Sequence, residues 1–279
     1  MSARMAMPDQ RFNNPGVLLR LYRQEPVLVA FTAIMIAMML PTFVAFLYET
    51  RTFNGINVWI KPLKFMSSVA IFLFTMALFF PYLDAKDRAR KSTRILVWSI
   101  CVIFFMEISY ITYRASLAEA SHFNRATIRD EIYYALMGAG ILTANVMSGW
   151  FGWLMLRAKD KIANADLRFA IALGLIAGCV LGSVTGAYMS QGASHWVGGV
   201  QNDAGGSFFF GWSRTGGDLR VAHFVGLHAM QAIPLIGWFA ARYAPARMRD
   251  VTIGATVLWT VLTIALFVQA LMGLPLFPL

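Results

Sequence analysis

Seven long apolar runs, separated by short polar connections, organise the chain: about 27–48, 63–83, 95–114, 132–156, 167–189, 221–241 and 251–275. Each has the length an α-helix needs to cross the hydrocarbon core of a bilayer at about 1.5 Å per residue. No connection is large enough to be a second domain. The pattern predicts an all-α polytopic membrane protein, a single seven-transmembrane-helix bundle over residues 27–279, preceded by a polar and basic tail at 1–26. Within that tail the amphipathic patch VLLRLYR is expected to lie along the membrane surface. The first run follows Glu25–Pro26 and leads into FLYETRTFNG with no small-residue cleavage pattern, so it reads as a retained helix rather than a signal peptide.

Composition removes the soluble alternative. Of 279 residues 58% are hydrophobic and 14% charged, with a mean hydropathy of +0.59, too apolar for a soluble domain of this size. The net charge of +10 then becomes a statement about orientation. The tail (Arg4, Arg11, Arg20, Arg23) and the connections at 84–94, 157–168 and 242–250 hold 16 of the 24 basic residues. That bias puts the N-terminus in the cytoplasm and, after seven crossings, the C-terminus in the periplasm. Its partner is the lipid bilayer; nucleic acid is not implied. Cys101 and Cys179 both fall inside apolar runs and offer no disulfide framework.

The candidate chemistry lies where polar residues interrupt the apolar runs. In the stretch GGDLRVAHFVGLHAMQ, a helix from about Arg220 turns by roughly 100° per residue, which puts Arg220, His223, His228 and Gln231 within less than half of its circumference. Lipid penalises each of them, so that arc is expected to face protein or water. In the second run Lys61, Lys64, Ser68 and Thr75 form a polar stripe; the alternative is two lysines snorkelling to the headgroups beside Trp59. The third run carries Glu107 roughly 10 Å below its outer end, with Tyr110 and Arg114 above it. Glu107 is either functional or one member of a structural ion pair with Arg114, Lys64 or Arg220. Asn145 reads as an interhelical hydrogen-bonding residue, and Gly174, Gly178, Gly182 and Gly186 as a smooth face for close helix approach. The connection at 190–219 mixes glycines, His195, Asn202 and Asp203 with Trp196, Phe208, Phe209, Phe210 and Trp212, and reads as a lid over an outward cavity or as an interfacial anchor. Pro234 is expected to bend the sixth helix below Gln231.

These residues predict an outward-facing pocket that binds or translocates a small polar or anionic solute, with Lys61, Lys64, Glu107, Tyr110, Arg114, Arg220 and Gln231 as ligand-binding candidates. The alternative is a membrane-embedded enzyme holding a metal or haem through His223 and His228, with His122 as a further metal candidate. A retinal protein is excluded, because the last run has no lysine. The five-residue spacing of His223 and His228 does not make the i, i+4 chelate of helical zinc sites, and the HxxxH pair of the adiponectin-receptor and ceramidase class is missing. The inner halves of the runs hold no histidine, against a di-haem cytochrome.

The segments WIKPLKF, SHFN and GGDLRVAHFVGLHAMQ together resemble those of a group of uncharacterised bacterial seven-helix inner-membrane proteins. The resemblance implies a multi-pass protein of the bacterial inner membrane, and brings no activity, substrate or cofactor.

Overall fold

Residues 16–158, 164–208 and 210–278 are described in the structure, a computed structural model; Arg4, Arg11 and Phe209, invoked above, and Lys159 and Lys161 of the 157–168 connection lie outside them. A short helix α1 (Val17–Gln24) precedes α2 (Pro26–Tyr48), and a hairpin of β1 (Thr52–Phe53) and β2 (Ile56–Asn57) leads into α3 (Ile60–Phe79). After a 3-10 turn and the one-turn α4 (Ala85–Ala89) come α5 (Lys91–Ser116), α6 (Ile128–Arg157) and α7 (Ala165–Gln191). A second hairpin pairs β3 (Trp196–Val197) with β4 (Gly217–Asp218), and the chain ends with α8 (Leu219–Leu227), α9 (Ala229–Tyr243) and α10 (Met248–Leu271). Six of these helices are long and apolar enough to cross a membrane, and a seventh if α8 and α9, bent by 46° at their break, count as one span. The protein is an all-α polytopic membrane protein.

We call the end that gathers the connections 49–59, 117–127 and 192–218 the upper end, and the opposite one the lower end. Helices α2, α3 and α5 pack on one another, as do α6, α7, α8, α9 and α10, and α5 against α6 is the main direct helix pairing between the two groups. At the lower end the groups share one apolar core, in which Met76, Phe80, Val97, Phe151, Met155 and Leu175 are almost wholly buried. Glu25, fully buried, is clamped there by two hydrogen bonds from Arg94 (2.6 and 2.9 Å). The same core reaches up to Met66 and Ile108, and above them the described side chains include the polar residues of the upper connections.

The glycine column of α7 finds its partner in the bent crossing. A Cβ on Gly174 would lie 2.6 Å from the Pro234 ring and 3.0 Å from the Ala229 carbonyl, one on Gly178 3.0 Å from the Leu227 carbonyl, and one on Gly186 2.8 Å from the His223 ring. Only hydrogen at these positions lets α7 approach the break. The break falls at His228, six residues before Pro234 and above Gln231, not below it as the proline alone suggested. Proline denies a hydrogen bond to the Met230 carbonyl and crowds it. The helix yields upstream, where the His228 ring supplies an alternative: its Nδ1 and its backbone N–H both reach the Phe224 carbonyl, at 2.7 and 3.0 Å.

That break redistributes the polar arc expected on a straight helix. His223 turns to α7, where its Nδ1 is 3.1 Å from Thr185 Oγ1, while Gln231 turns to α3 and donates to Thr75 Oγ1 at 3.4 Å. Ser68, counted with the stripe on α3, is exposed and touches neither half's polar groups.

Candidate functional site

The upper connections are built around local signals. Asn54 and Gly55, both with positive φ (51° and 79°), make the two-residue turn of the first hairpin, a turn that asparagine–glycine suits because both central residues must enter the left-handed region. The turn then locates the long loop: the Asp203 N–H donates to the Asn54 carbonyl at 2.9 Å, and a Cβ on Gly55 would sit 2.7 Å from that of Ala204. At the other end of the loop, Asp218 caps α8 by accepting from the Arg220 N–H at 3.1 Å and also accepts from the Ser213 N–H at 2.9 Å.

Arg220 is the hub of this loop. Its Nε and Nη2 donate to the two oxygens of Asp218 at 2.9 and 2.6 Å, and Nη2 also donates to the Gly211 carbonyl at 2.8 Å. Asp203 Oδ1 stands 2.8 Å from the same Nη2 as an ion pair, but without hydrogen-bonding alignment, so that buried oxygen has no hydrogen bond. Beside it, the buried Nε2 of His195 lies 3.8 Å from Asp203 Oδ1, too far for a hydrogen bond, and Trp196 Nε1 is likewise without a partner. Burial holds the His195 imidazole below its ordinary pKa, against the pull of Asp203. For Asp203 itself burial acts upward, but the approach of His195 and of Arg220 outweighs it and keeps the carboxyl below its ordinary value.

Facing Arg220 across the gap is α3. Lys64 Nζ donates to the Phe210 carbonyl at 2.9 Å, so the loop lies over the lysine as a cover. Phe210 stacks on Trp212 (4.2 Å between centroids), Trp212 meets Phe224 edge-on (5.6 Å), and Phe224 stacks on His228 (3.8 Å), an aromatic file that runs from the loop to the helix break. At the bottom of the gap Gln231 meets Thr75, and Gln231 Oε1 is buried without a partner. Between these two crossing points Ser68 stays exposed, so α3 does not close on α8 and α9 there.

Lys61, one turn above Lys64, contributes to a second group of contacts. Its Nζ is 3.2 Å from His122 Nδ1, and on the other side of the ring His122 Nε2 is 3.9 Å from Glu107 Oε1. An ammonium can only donate, so Nδ1 accepts and the ring proton sits on Nε2, facing the carboxylate. Burial first, and then the Lys61 and His195 charges, push the His122 imidazole well below its ordinary pKa, so it is neutral at pH 7. The loop that carries it is strained: Ala118 and Phe123 both have positive φ (55° and 56°), a region that costs a bulky residue energy and recurs where a side chain is held for function. Glu107 is 6% exposed and receives no direct hydrogen bond from the described residues.

The sequence candidates therefore separate into three sets. Lys64 and Arg220 meet the 192–218 loop, Lys61 and Glu107 meet His122, and Gln231 meets Thr75 on the α3 side of α9. Arg114 does not join them: it is paired with Asp130 at 2.8 Å and Glu119 at 3.0 Å and fastens the start of α6 to the end of α5. Tyr110 packs on Tyr133 (5.4 Å between centroids), and its buried hydroxyl has no partner. The metal candidates are dispersed, with His122 between Lys61 and Glu107, His223 on Thr185 and His228 on its own helix. Among the described residues no three histidine, cysteine, aspartate or glutamate side chains converge as metal ligands. His195, Asp203 and Asp218 also belong to the group of contacts around Arg220. Asp218 was legible as an aspartate just before an apolar helix, and Asp203 only through the asparagine–glycine turn that it docks on. An open groove lined by Lys91, Trp98, Val102 and Thr143 lies toward the lower end and shares no residue with this site.

Comparison with protein families, with curated proteins and with solved structures found no match.

Proposed function

We propose that this is a solute-binding or solute-translocating protein of the bacterial inner membrane, with its N-terminus in the cytoplasm and its upper end facing the periplasm. Residues 27–279 act as one transmembrane domain. The solute is small and polar, with an anionic group as one option, and it enters the gap between the α2–α3–α5 and α6–α10 groups beneath the 192–218 loop. The observation that carries the reading is the placement of polar side chains from both groups on one gap, Lys61, Lys64 and Glu107 on one side and Arg220 and Gln231 on the other, while the lower end is closed by apolar packing. Ion-pairing or polar side chains at membrane depth that face a protein interior are the usual mark of a solute or ion path. Two groups of helices with a polar interface also suit a rocking motion that opens one end as the other closes.

A thermal-shift screen of small polar and anionic solutes on the detergent-purified protein tests the reading. A solute present at a hundredfold excess over its Kd adds about 2.7 kcal/mol of stability, and that gain should vanish in Lys64→Met and Gln231→Leu. A visible spectrum with a Soret band, or stoichiometric metal by elemental analysis, would overturn it. Reporter fusions after residues 90 and 162 are expected to report cytoplasm, and fusions near 120 and 203 periplasm.

A further inference from the structure

Lys61, His122 and Glu107 form a three-member row; Lys61 and Glu107 also stand among the residues of the solute reading, which gives His122 between them no role. One ring nitrogen of His122 faces an ammonium at 3.2 Å and the other faces a carboxylate oxygen at 3.9 Å. The row joins three separate elements, α3, the α5–α6 connection and α5, so its members are brought together by the fold rather than by local chain geometry. Glu107 is buried in a membrane helix and its carboxylate lacks a direct hydrogen bond, which is an expensive state for a charged group. An imidazole between a donor and an acceptor has a property no other side chain has: it can take a proton at one nitrogen and release one at the other.

We propose that Lys61, His122 and Glu107 form a proton-exchange site, in which a proton passes between Lys61 and Glu107 through the two nitrogens of the His122 ring. In the forward direction the Lys61 ammonium gives a proton to Nδ1 as Nε2 gives its proton to Glu107 Oε1. Ammonium, neutral imidazole and carboxylate become amine, neutral imidazole of the other tautomer and carboxylic acid. One N–H bond breaks on Lys61 and one forms at Nδ1; one N–H bond breaks at Nε2 and one O–H bond forms on Glu107. No proton is gained or lost, and a buried charge pair is cancelled. The 3.9 Å step is within reach of a single bridging water, or of a closure of about 1 Å, the tightening commonly seen when such sites become active. The ligand is thus the proton, reaching Lys61 from the upper end.

The groups that face the row are few. Asp203 and Arg220 act on Lys61 from the loop and from α8, His195 acts on His122 from the loop, Ser121 Oγ lies 3.2 Å from His122 Nδ1, and the Tyr134 ring of α6 stands 6.1 Å from the His122 ring. Asp203 ties the row to the loop, since its carboxylate acts on Lys61 while it pairs with Arg220. Displacement of the loop by a solute would therefore change the charge seen by Lys61.

Infrared spectroscopy of the full-length protein in lipid, with no solute present, separates this proposal from the solute reading. A carboxylic-acid C=O stretch should be present at neutral pH and be lost in Glu107→Gln. If that variant does not fold, Glu107→Asp must shift the band instead. Hydrogen–deuterium exchange of the same band should slow by about tenfold or more in His122→Phe, the scale of a general acid–base contribution. Histidine-selective ¹⁵N NMR should show the ring that disappears in His122→Phe populating both neutral tautomers. A wild-type spectrum without the acid band, a band untouched by either Glu107 variant, exchange unchanged in His122→Phe, or a single fixed Nε2–H tautomer each overturns the proposal.

Discussion

In its upper half helix α5 carries two buried charged residues two turns apart, Glu107 and Arg114, and they live in different surroundings. Arg114 is buried, yet its guanidinium is matched to two carboxylates, Asp130 at 2.8 Å and Glu119 at 3.0 Å, and Asp130 is itself held by Thr127. Glu107 is equally buried and meets only a histidine at 3.9 Å, with a lysine beyond it. The first is a joint: it fastens α6 to α5, and nothing about it needs to change. The second has no hydrogen bond from the described residues; buried polar atoms without a partner occur in both surroundings, on Arg114 Nε and Tyr110 near the joint and on Gln231, His195, Trp196 and Asp203 elsewhere at the upper end. Buried polar groups are normally paired, so each unpaired one is a place where water, proton or solute could bind. The lesson is that charged residues at similar burial divide by whether an opposite charge stands in direct contact, as for Arg114, or only a histidine at 3.9 Å, as for Glu107.

The widest separation between the two regions should appear on truncation. Arg114→Ala strands a buried carboxylate, and its detergent melting temperature is expected to fall by roughly 10 °C, the consequence of breaking a buried pair from one side. Glu107→Gln should change it by no more than about 2 °C, within the range of an ordinary single substitution. Equal losses in the two variants would make the gap a structural network and end the distinction.

A second comparison sets the apolar joint of α7 against the gap. Gly174→Ala drives a methyl group into the Pro234 ring and the Ala229 carbonyl, and overpacking of that kind costs about 1–3 kcal/mol. Gln231→Leu removes a side chain with one long hydrogen bond and an unpaired oxygen, and should be neutral within about 0.5 kcal/mol. Chemical unfolding in detergent ranks the two, and a Gln231→Leu loss as large as that of Gly174→Ala would show the gap to be tightly packed.

His228 gives a smaller effect. Its ring bond to the Phe224 carbonyl is one hydrogen bond at the break, so His228→Ala should cost about 0.5–1.5 kcal/mol. Solute binding measured beside stability decides whether the residue does more than hold the bend.

The smallest effect expected is the pH response of the upper loops. His122 and His195 both have folded pKa values below the ordinary one, so the unfolded chain binds more protons than the folded chain once the pH falls below about 6.5. Stability should be full above that value and decline as the pH is lowered toward the folded pKa values. Replacing His122 with Gln should flatten part of the decline; an unchanged slope would show that His122 is freely protonated in the fold.

The hydrophobic pattern alone determined the class and the approximate limits of the long apolar helices, because a bilayer demands about 20 apolar residues per helix wherever the helix sits. The glycines at four-residue spacing were equally legible as a contact face, since the period of the helix places them on one side. Which helix they meet was not legible, and neither was the fate of the polar residues. On a straight helix Arg220, His223, His228 and Gln231 share an arc; a bend of 46° at His228 sends His223 to α7 and Gln231 to α3. Arg114 and Glu107 look alike in the sequence, and only the placement of Asp130 and Glu119 beside one of them, and of His122 beside the other, gave them different roles. Periodicity fixes which way a side chain leaves its own helix, whereas its partner comes from an element far away in the chain, and that pairing is decided only when the helices and the loops over them assemble.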